Sequence, residues 1–283
     1  MVVAMGAFTI EDMLIKGAAK NVSIGFVLAL FGIGGTVIFT LLTWRRRETV
    51  FHSTILSRPI LLRAVCEVTG RLAFALAITL SALSSASAIL QATPLIAMIG
   101  AAIFFNEKIG VTRWLAALVG FTGVLMIIRP GVDSFEAASL FALVATLGFA
   151  GRDLATRAAP GVLSNVQLGV YGFFVLIPTG IAMHFYNPGN IDIDVTASLQ
   201  ITGAIIFGVT AYNALTIAMR SGDVSVVSPF RYTRLLFAML IGILVFGEAP
   251  DKATVMGSAL IVLSGIYILM HHRKTARVVD TVQ

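Results

Sequence analysis

Val22-Ser-Ile-Gly-Phe-Val-Leu-Ala-Leu-Phe-Gly-Ile-Gly-Gly-Thr-Val-Ile-Phe-Thr-Leu-Leu-Thr43 runs for twenty-two residues without one charged side chain, then meets Trp44-Arg45-Arg46-Arg47. As a helix rising 1.5 Å per residue it would be about 33 Å long, enough to cross a hydrocarbon core about 30 Å thick. Outward from this stretch, the same pattern recurs along the whole chain. Apolar segments lie near residues 1–18, 22–43, 60–80, 84–105, 112–129, 135–156, 163–184, 197–219, 224–246 and 253–271. The clearest breaks are Trp44–Pro59, Asn106–Arg113, Pro130-Gly131-Val132-Asp133, Asn187–Asp194 and Glu248–Lys252. Each span must satisfy its own backbone hydrogen bonds inside lipid, so the segments are read as helices. A β-barrel would show alternating segments of about ten residues, and none occur.

Composition agrees. Of 283 residues, 58% are hydrophobic and 12% charged, against about 25% charged in a soluble domain. The net charge of +6 does not point to nucleic acid, because the basic residues map to one side of the membrane. With the N-terminus in the cytoplasm, the cytoplasmic loops and their flanks hold Arg45, Arg46, Arg47, Arg58, Arg63, Lys108, Arg113, Arg152, Arg157, Arg220, Arg273, Lys274 and Arg277. The opposite side holds Lys16, Lys20, Arg129 and Lys252, and Arg71, Arg231 and Arg234 fall inside spans. This bias predicts cytoplasmic termini. Cys66 is the only cysteine, which excludes an internal disulfide and a thiolate metal site. His271 and His272 have no further ligand nearby in sequence, so no metal is expected.

The halves can be superposed with an offset of about 141 residues. Phe8-x-x-x-Asp12-x-x-x-Lys16 matches Phe149-x-x-x-Asp153-x-x-x-Arg157. Ser84-Ser-Ala-Ser87 matches Ser225-Val-Val-Ser228, and Phe105-Asn-Glu107 matches Phe246-Gly-Glu248. Five spans per half is an odd number, so the second half should sit inverted relative to the first. Inverted repeats around a midplane site are an architecture of secondary transporters. The expected fold is an all-α membrane protein of ten transmembrane helices, built as two inverted five-helix repeats. The first repeat occupies 1–131, the second 132–272, and a cytoplasmic tail 273–283.

The chain resembles the EamA-type branch of the drug/metabolite transporter superfamily over nearly its whole length. In the first half the resemblance lies in Ala88-Ile-Leu-Gln-Ala-Thr-Pro-Leu95, Phe104-Phe-Asn-Glu107 and Gly120-Phe-Thr-Gly-Val-Leu-Met-Ile-Ile-Arg-Pro-Gly131. In the second it lies in Ala218-Met-Arg-Ser-Gly-Asp-Val-Ser-Val-Val-Ser-Pro-Phe-Arg-Tyr-Thr-Arg-Leu235 and Phe246-Gly-Glu248. Asn106 departs from the usual glycine before the glutamate, which concerns a helix end. The resemblance implies a carrier of a small organic solute in the bacterial inner membrane that needs no ATP. Within the family the chain is similar to riboflavin uptake members, in length and in its opening around Phe8-Thr-Ile-Glu-Asp-Met-Leu-Ile-Lys16. Export of amino acids or related metabolites is the alternative. No cofactor is implied, and a homodimer is left open.

Charges inside spans are costly and mark candidate sites. Glu67 and Arg71 are four apart on one helical face, read either as an internal ion pair or as cavity-lining groups. Arg231, Tyr232 and Arg234 follow Pro229-Phe230, where proline weakens a helix and guanidinium groups bind anions or stack on rings. The structural alternative has both arginines neutralise Glu67 and Glu11. Asp12 and Asp153 each precede a basic residue by four positions and are read as structural. Glu11 has no acidic counterpart in the second half, where Arg152 stands, and is the better candidate. Gln91, Tyr212 and Asn213 add amides and a ring suited to a flat heterocycle. Glu107 and Glu248 are read as helix ends. There is no G-x-x-x-x-G-K-[ST], G-x-S-x-G or H-E-x-x-H motif, so neither a P-loop ATP site nor a hydrolase is indicated.

Overall fold

The computed structural model describes residues 1–107, 110–128, 138–186, 188–221 and 224–280. The break at Pro130-Gly131-Val132-Asp133, Asn187 and the loop charges Lys108 and Arg129 lie outside the described residues.

All regular structure among the described residues is helical. The helices are α1 (Val2–Ala18), α2 (Ile24–Arg45), α3 (Arg58–Leu80), α4 (Leu83–Leu90), α5 (Thr93–Phe105), α6 (Val111–Ile128) and α7 (Ala138–Arg157). They continue as α8 (Asn165–Phe174), α9 (Leu176–Tyr186), α10 (Val195–Ser221), α11 (Val224–Val227), α12 (Thr233–Phe246) and α13 (Lys252–Asp280). Short 3-10 turns cover Ser53–Leu56 and Ser228–Tyr232. Among the described residues, five stretches are long and apolar enough to cross a membrane: Ile24–Arg45, Ser85–Phe105, Ala138–Arg157, Asn165–Tyr186 and Val195–Ser221. The molecule is apolar outside and charged inside. Leu118, Leu240, Leu244 and Val65 are exposed, while Glu11, Asp12, Glu67 and Arg71 are buried. That is the reverse of a water-soluble surface.

Three apolar segments read as single spans are broken helices, and proline accounts for each break. Proline has no N–H for the carbonyl four residues back and its ring crowds that carbonyl. For Pro94 and Pro178 those carbonyls belong to Leu90 and Phe174, the last residues of α4 and α8. Pro229 lies in the 3-10 turn between α11 and α12. Freed backbone groups at membrane depth are tolerated where protein buries them.

Packing between the halves is close because glycine replaces side chains at the crossings. Gly25 of α2 sits against Gly180 and His184 of α9, and Gly32 against Phe173 and Ile177, while Gly169 of α8 meets Phe39. These contacts fall in reverse order, so α2 runs antiparallel to α8–α9. α6 and α13 are also antiparallel: Gly120 meets Ser264, and Gly123 meets Gly257. α3 packs on α7 as α1 packs on α10, the same pair with the halves exchanged. The repeat extends to hydrogen-bond detail. Asn106 and Gly247 both take left-handed φ values, 53° and 65°, and the following glutamate N–H groups return to Ala101 and Gly242 carbonyls. Asparagine and glycine are the residues that tolerate this helix cap, so the departure at Asn106 preserves the helix end.

Candidate functional site

The buried charges gather where the halves meet, on α1, α3, α7, the 3-10 turn Ser228–Tyr232 and the start of α12. On α3, Arg63, Glu67 and Arg71 are spaced by four and share one face, all of them buried. Of the two readings of Glu67 and Arg71, the ion pair within this helix does not form. Arg71 instead donates to Glu11 Oε1 on α1. Glu67 accepts from Tyr212 Oη of α10 at 2.9 Å and from Arg152 of α7 at 3.5 Å. Helix crossing brings these partners nearer than a turn of the same helix does.

Arg152 also donates through Nε and Nη2 to Asp153 Oδ1, at 3.1 and 3.0 Å. Asp153 Oδ2 accepts from Arg231, and Asp12 Oδ2 accepts from Arg234 at 2.6 Å. The structural alternative, in which Arg231 and Arg234 neutralise Glu67 and Glu11, gives way to a different pairing. Each arginine clasps the aspartate of one repeat. Lys16 is likewise not the partner of Asp12. It donates to Glu248 of the α12–α13 link at 3.0 Å and to the Ser81 carbonyl at 3.1 Å, and Glu248 also accepts from Leu83 N–H at 2.7 Å.

Arg63 was placed by its sequence among the loop charges, yet it is 2% exposed. It donates to Thr156 Oγ1 at 2.9 Å, the Leu168 carbonyl at 3.0 Å and Tyr212 Oη at 2.6 Å. Arg152, also assigned to a loop flank, is buried in the same network. The signal that could have found Arg63 is its spacing, one helical turn before Glu67 and two before Arg71. Of the other candidates, Gln91 is buried at the α4–α5 break and donates to the Ser87 carbonyl at 3.1 Å. Tyr232 is turned against Gly265 of α13, outside the ion network. Asn213 is half-buried beside Tyr212 and outside the network as well.

A buried ion is tolerated only when paired and hydrogen-bonded, and here most polar atoms are. Three are not: Glu11 Oε2, Arg71 Nε and Arg234 Nε are buried without a partner. Rings surround them. Arg71 lies 5.3 Å from the Phe31 ring centroid and 5.9 Å from that of Phe149, and Arg234 lies 5.1 Å from both Phe8 and Phe74. An acceptor, two donors and aromatic faces make a set that can hold an uncharged polar heterocycle by edge hydrogen bonds and stacking. Among the described residues, no group of three or more His, Cys, Asp or Glu side chains forms a metal cluster.

Known proteins resemble this chain in fold and in sequence. A solved crystal structure matches 97% of this chain and 97% of its own with a TM-score of 0.73 at 16% identity, a likeness of fold. The riboflavin transporter of Vibrio cholerae is 32% identical over 192 residues, 67% of this chain and 63% of that protein, a little under two thirds of its length. The riboflavin transporter of Rhizobium johnstonii is 25% identical across 98% of this chain and 92% of its own. An S-adenosylmethionine uptake transporter of Rickettsia prowazekii is 25% identical across 77% of this chain and 74% of its own. The model of the EamA-like transporter family matches residues 1–129 and again 137–270. Two copies of that unit account for the repeated aspartates, the repeated helix caps and the packing of α3 on α7 beside α1 on α10, and the chain belongs to the EamA-like transporter family, as a membrane transporter and not an enzyme.

Proposed function

We propose that the protein is a secondary transporter that takes up riboflavin across the bacterial inner membrane. The carrying observation is the ring-lined ion network between the halves, with Glu11 Oε2, Arg71 Nε and Arg234 Nε buried and unpartnered. Ten spans in two inverted repeats, divided near residues 131 and 132, give this network a place near the membrane midplane. The antiparallel run of α2 against α8–α9, and of α6 against α13, supports the inversion. Basic residues support cytoplasmic termini. With Arg63 and Arg152 removed from the loop charges, eleven of the basic residues still flank the cytoplasmic side against four on the other.

Relatives named riboflavin transporter support the substrate. The competing reading is uptake of S-adenosylmethionine, favoured by the Rickettsia relative. Charge separates the two. Among the described residues the network holds five arginines (63, 71, 152, 231 and 234) against the carboxylates of Glu11, Asp12, Glu67 and Asp153. It offers no surplus negative charge to a sulfonium cation and suits an uncharged isoalloxazine.

Uptake of labelled riboflavin, measured in a strain that neither makes nor imports it, tests the reading. Uptake should depend on this gene and be lost in Arg231→Ala at equal protein level in the membrane. Correctly inserted protein that moves labelled S-adenosylmethionine and no riboflavin would establish the competing reading, and outward movement of an amino acid or related metabolite alone would establish export.

A further inference from the structure

The ion network leaves one large feature of the molecule unused, a cleft on its outer face. α3 and α8–α9 run parallel but touch little. A cavity of about 830 Å³ lies between them at the Arg58 end of α3, lined by Trp44, Phe51, Leu56, Leu61, Tyr171 and Phe174 among others. A second, of about 880 Å³, continues the cleft between Leu72 and Leu76 of α3 and Pro178 and Met183 of α9. Repeat symmetry does not impose this opening. Exchange of the halves maps α3 and α8–α9 onto α10 and α2, and those helices are packed shut, with Gly34 on Ile205 and Gly208 on Phe31.

The wall of the first cavity is apolar and the chain around its mouth is basic. Arg45, Arg46 and Arg47 directly follow Trp44, Arg58 precedes Ile60 and Leu61, and all four arginines are exposed. Glu48 is the acidic residue in the lining, and its carboxylate is engaged by the Ser164 hydroxyl. Phe51 and Leu56, 74% and 75% exposed, project from the loop between α2 and α3 as groups that rest at an interface. An apolar channel ending at exposed arginines matches the chemistry of one lipid class, an acyl chain carrying an anionic headgroup. We propose that this cleft is a binding site for an anionic diacyl phospholipid of the leaflet that Arg45–Arg47 face, with an acyl chain between α3 and α8 and the phosphate among the four arginines. The site is separate from the ion network and does not rest on riboflavin as the solute.

The protein supplies its own probe. It has two tryptophans, Trp44 and Trp114, and Trp44 lines the cavity. In a Trp114→Phe background, the protein is placed in phosphatidylcholine vesicles holding a minor fraction of dibrominated phosphatidylglycerol, or the same fraction of dibrominated phosphatidylcholine. The proposal expects Trp44 to be quenched much more strongly by the anionic lipid, and unbrominated phosphatidylglycerol to reverse the quenching. Arg58→Gln should lower the preference about fivefold, the effect of one basic contact near a membrane surface. Ala64→Phe, which fills the cleft and leaves every arginine in place, should abolish it, so the outcome does not hang on a variant whose altered charge perturbs insertion. Equal quenching by the two brominated lipids would overturn the proposal in favour of ordinary annular lipid. Reversal by inorganic phosphate alone would overturn it in favour of a simple anion site.

Discussion

Replacing Glu11 by glutamine removes one charge from a site closed to bulk solvent. Glu11 is fully buried and Arg71 is 3% exposed, and the two are joined by a direct hydrogen bond. Opposite unit charges 4 Å apart attract by about 4 kcal/mol at an effective dielectric of about 20. Removing one partner of a buried pair costs about 3–5 kcal/mol, mostly from the charge left alone. The glutamine amide oxygen still accepts a hydrogen bond, and the Phe31 ring at 5.3 Å still attracts the guanidinium by about 1–2 kcal/mol. Glu11→Gln is therefore expected at the low end, about 3 kcal/mol less stable. Arg71→Met, which strands the carboxylate with no ring to soften it, falls at the high end, about 5 kcal/mol. The double variant Glu11→Gln/Arg71→Met leaves neither charge and should return to within about 1 kcal/mol of the parent. Equilibrium unfolding in mixed micelles measures stability, and riboflavin uptake is measured on the same variants. Recovered stability with uptake still absent is the signature of a pair that handles solute. Single variants as stable as the parent would refute the reasoning that this network is held by charge pairing.

Three further outcomes follow from separate contacts. Tyr212→Phe removes the hydroxyl that links Arg63 to Glu67 at 2.6 and 2.9 Å; unfolding should show a loss of about 1.5–3 kcal/mol, the range for hydrogen bonds to charged groups. Gly123→Ala would set a Cβ 2.6 Å from the Gly257 carbonyl oxygen; it should push α6 from α13 and cost about 1–3 kcal/mol, read as a lower yield of monodisperse protein in size-exclusion chromatography. Lys16 and Glu248 are 15% and 11% exposed, a largely buried pair, so Lys16→Ala should cost about 1–3 kcal/mol, between a surface pair and a fully buried one; uptake should fall with it, and the swap Lys16→Glu/Glu248→Lys should restore it if the pair ties α1 to the α12–α13 link during the cycle.

The helices were legible because the bilayer imposes a long apolar run on each span, and that constraint is local. The broken helices were half-legible: Pro94, Pro178 and Pro229 announce lost hydrogen bonds, but the sequence alone does not say whether a helix kinks, stops or tightens. The ion partners were illegible for a physical reason. Spacing of four residues reports that Glu67 and Arg71 share a face and is silent on which helix that face meets. Helix crossings decide this: Gly70 against Phe149 and Gly148 brings Arg152 of α7 to Glu67, and the approach of α1 to α3 brings Glu11 to Arg71. Arg63 and Arg152 were misplaced by the same limit, since a basic residue near a span end reads as a loop charge unless its helix face is known to turn inward.

The repeat and its exceptions together single out one segment of the chain. Asp12 and Asp153 occupy equivalent positions, and each is held by an arginine. Both arginines come from one segment, Arg231 in the 3-10 turn and Arg234 in the first turn of α12. The residues equivalent to them in the first half are Leu90 and Thr93, which carry no charge. A symmetric carrier would hold each aspartate by its opposite half. Here a single proline-broken segment of the second half holds both, so any movement of that segment acts on Asp12 and Asp153 together. The same segment turns Tyr232 onto Gly265 of α13, which packs antiparallel on α6. The repeated frame thus carries one asymmetric element that touches both halves, and substitutions at Arg231 and Arg234 should change uptake far more than substitutions at Leu90 and Thr93, although the repeat treats the four positions as equivalents.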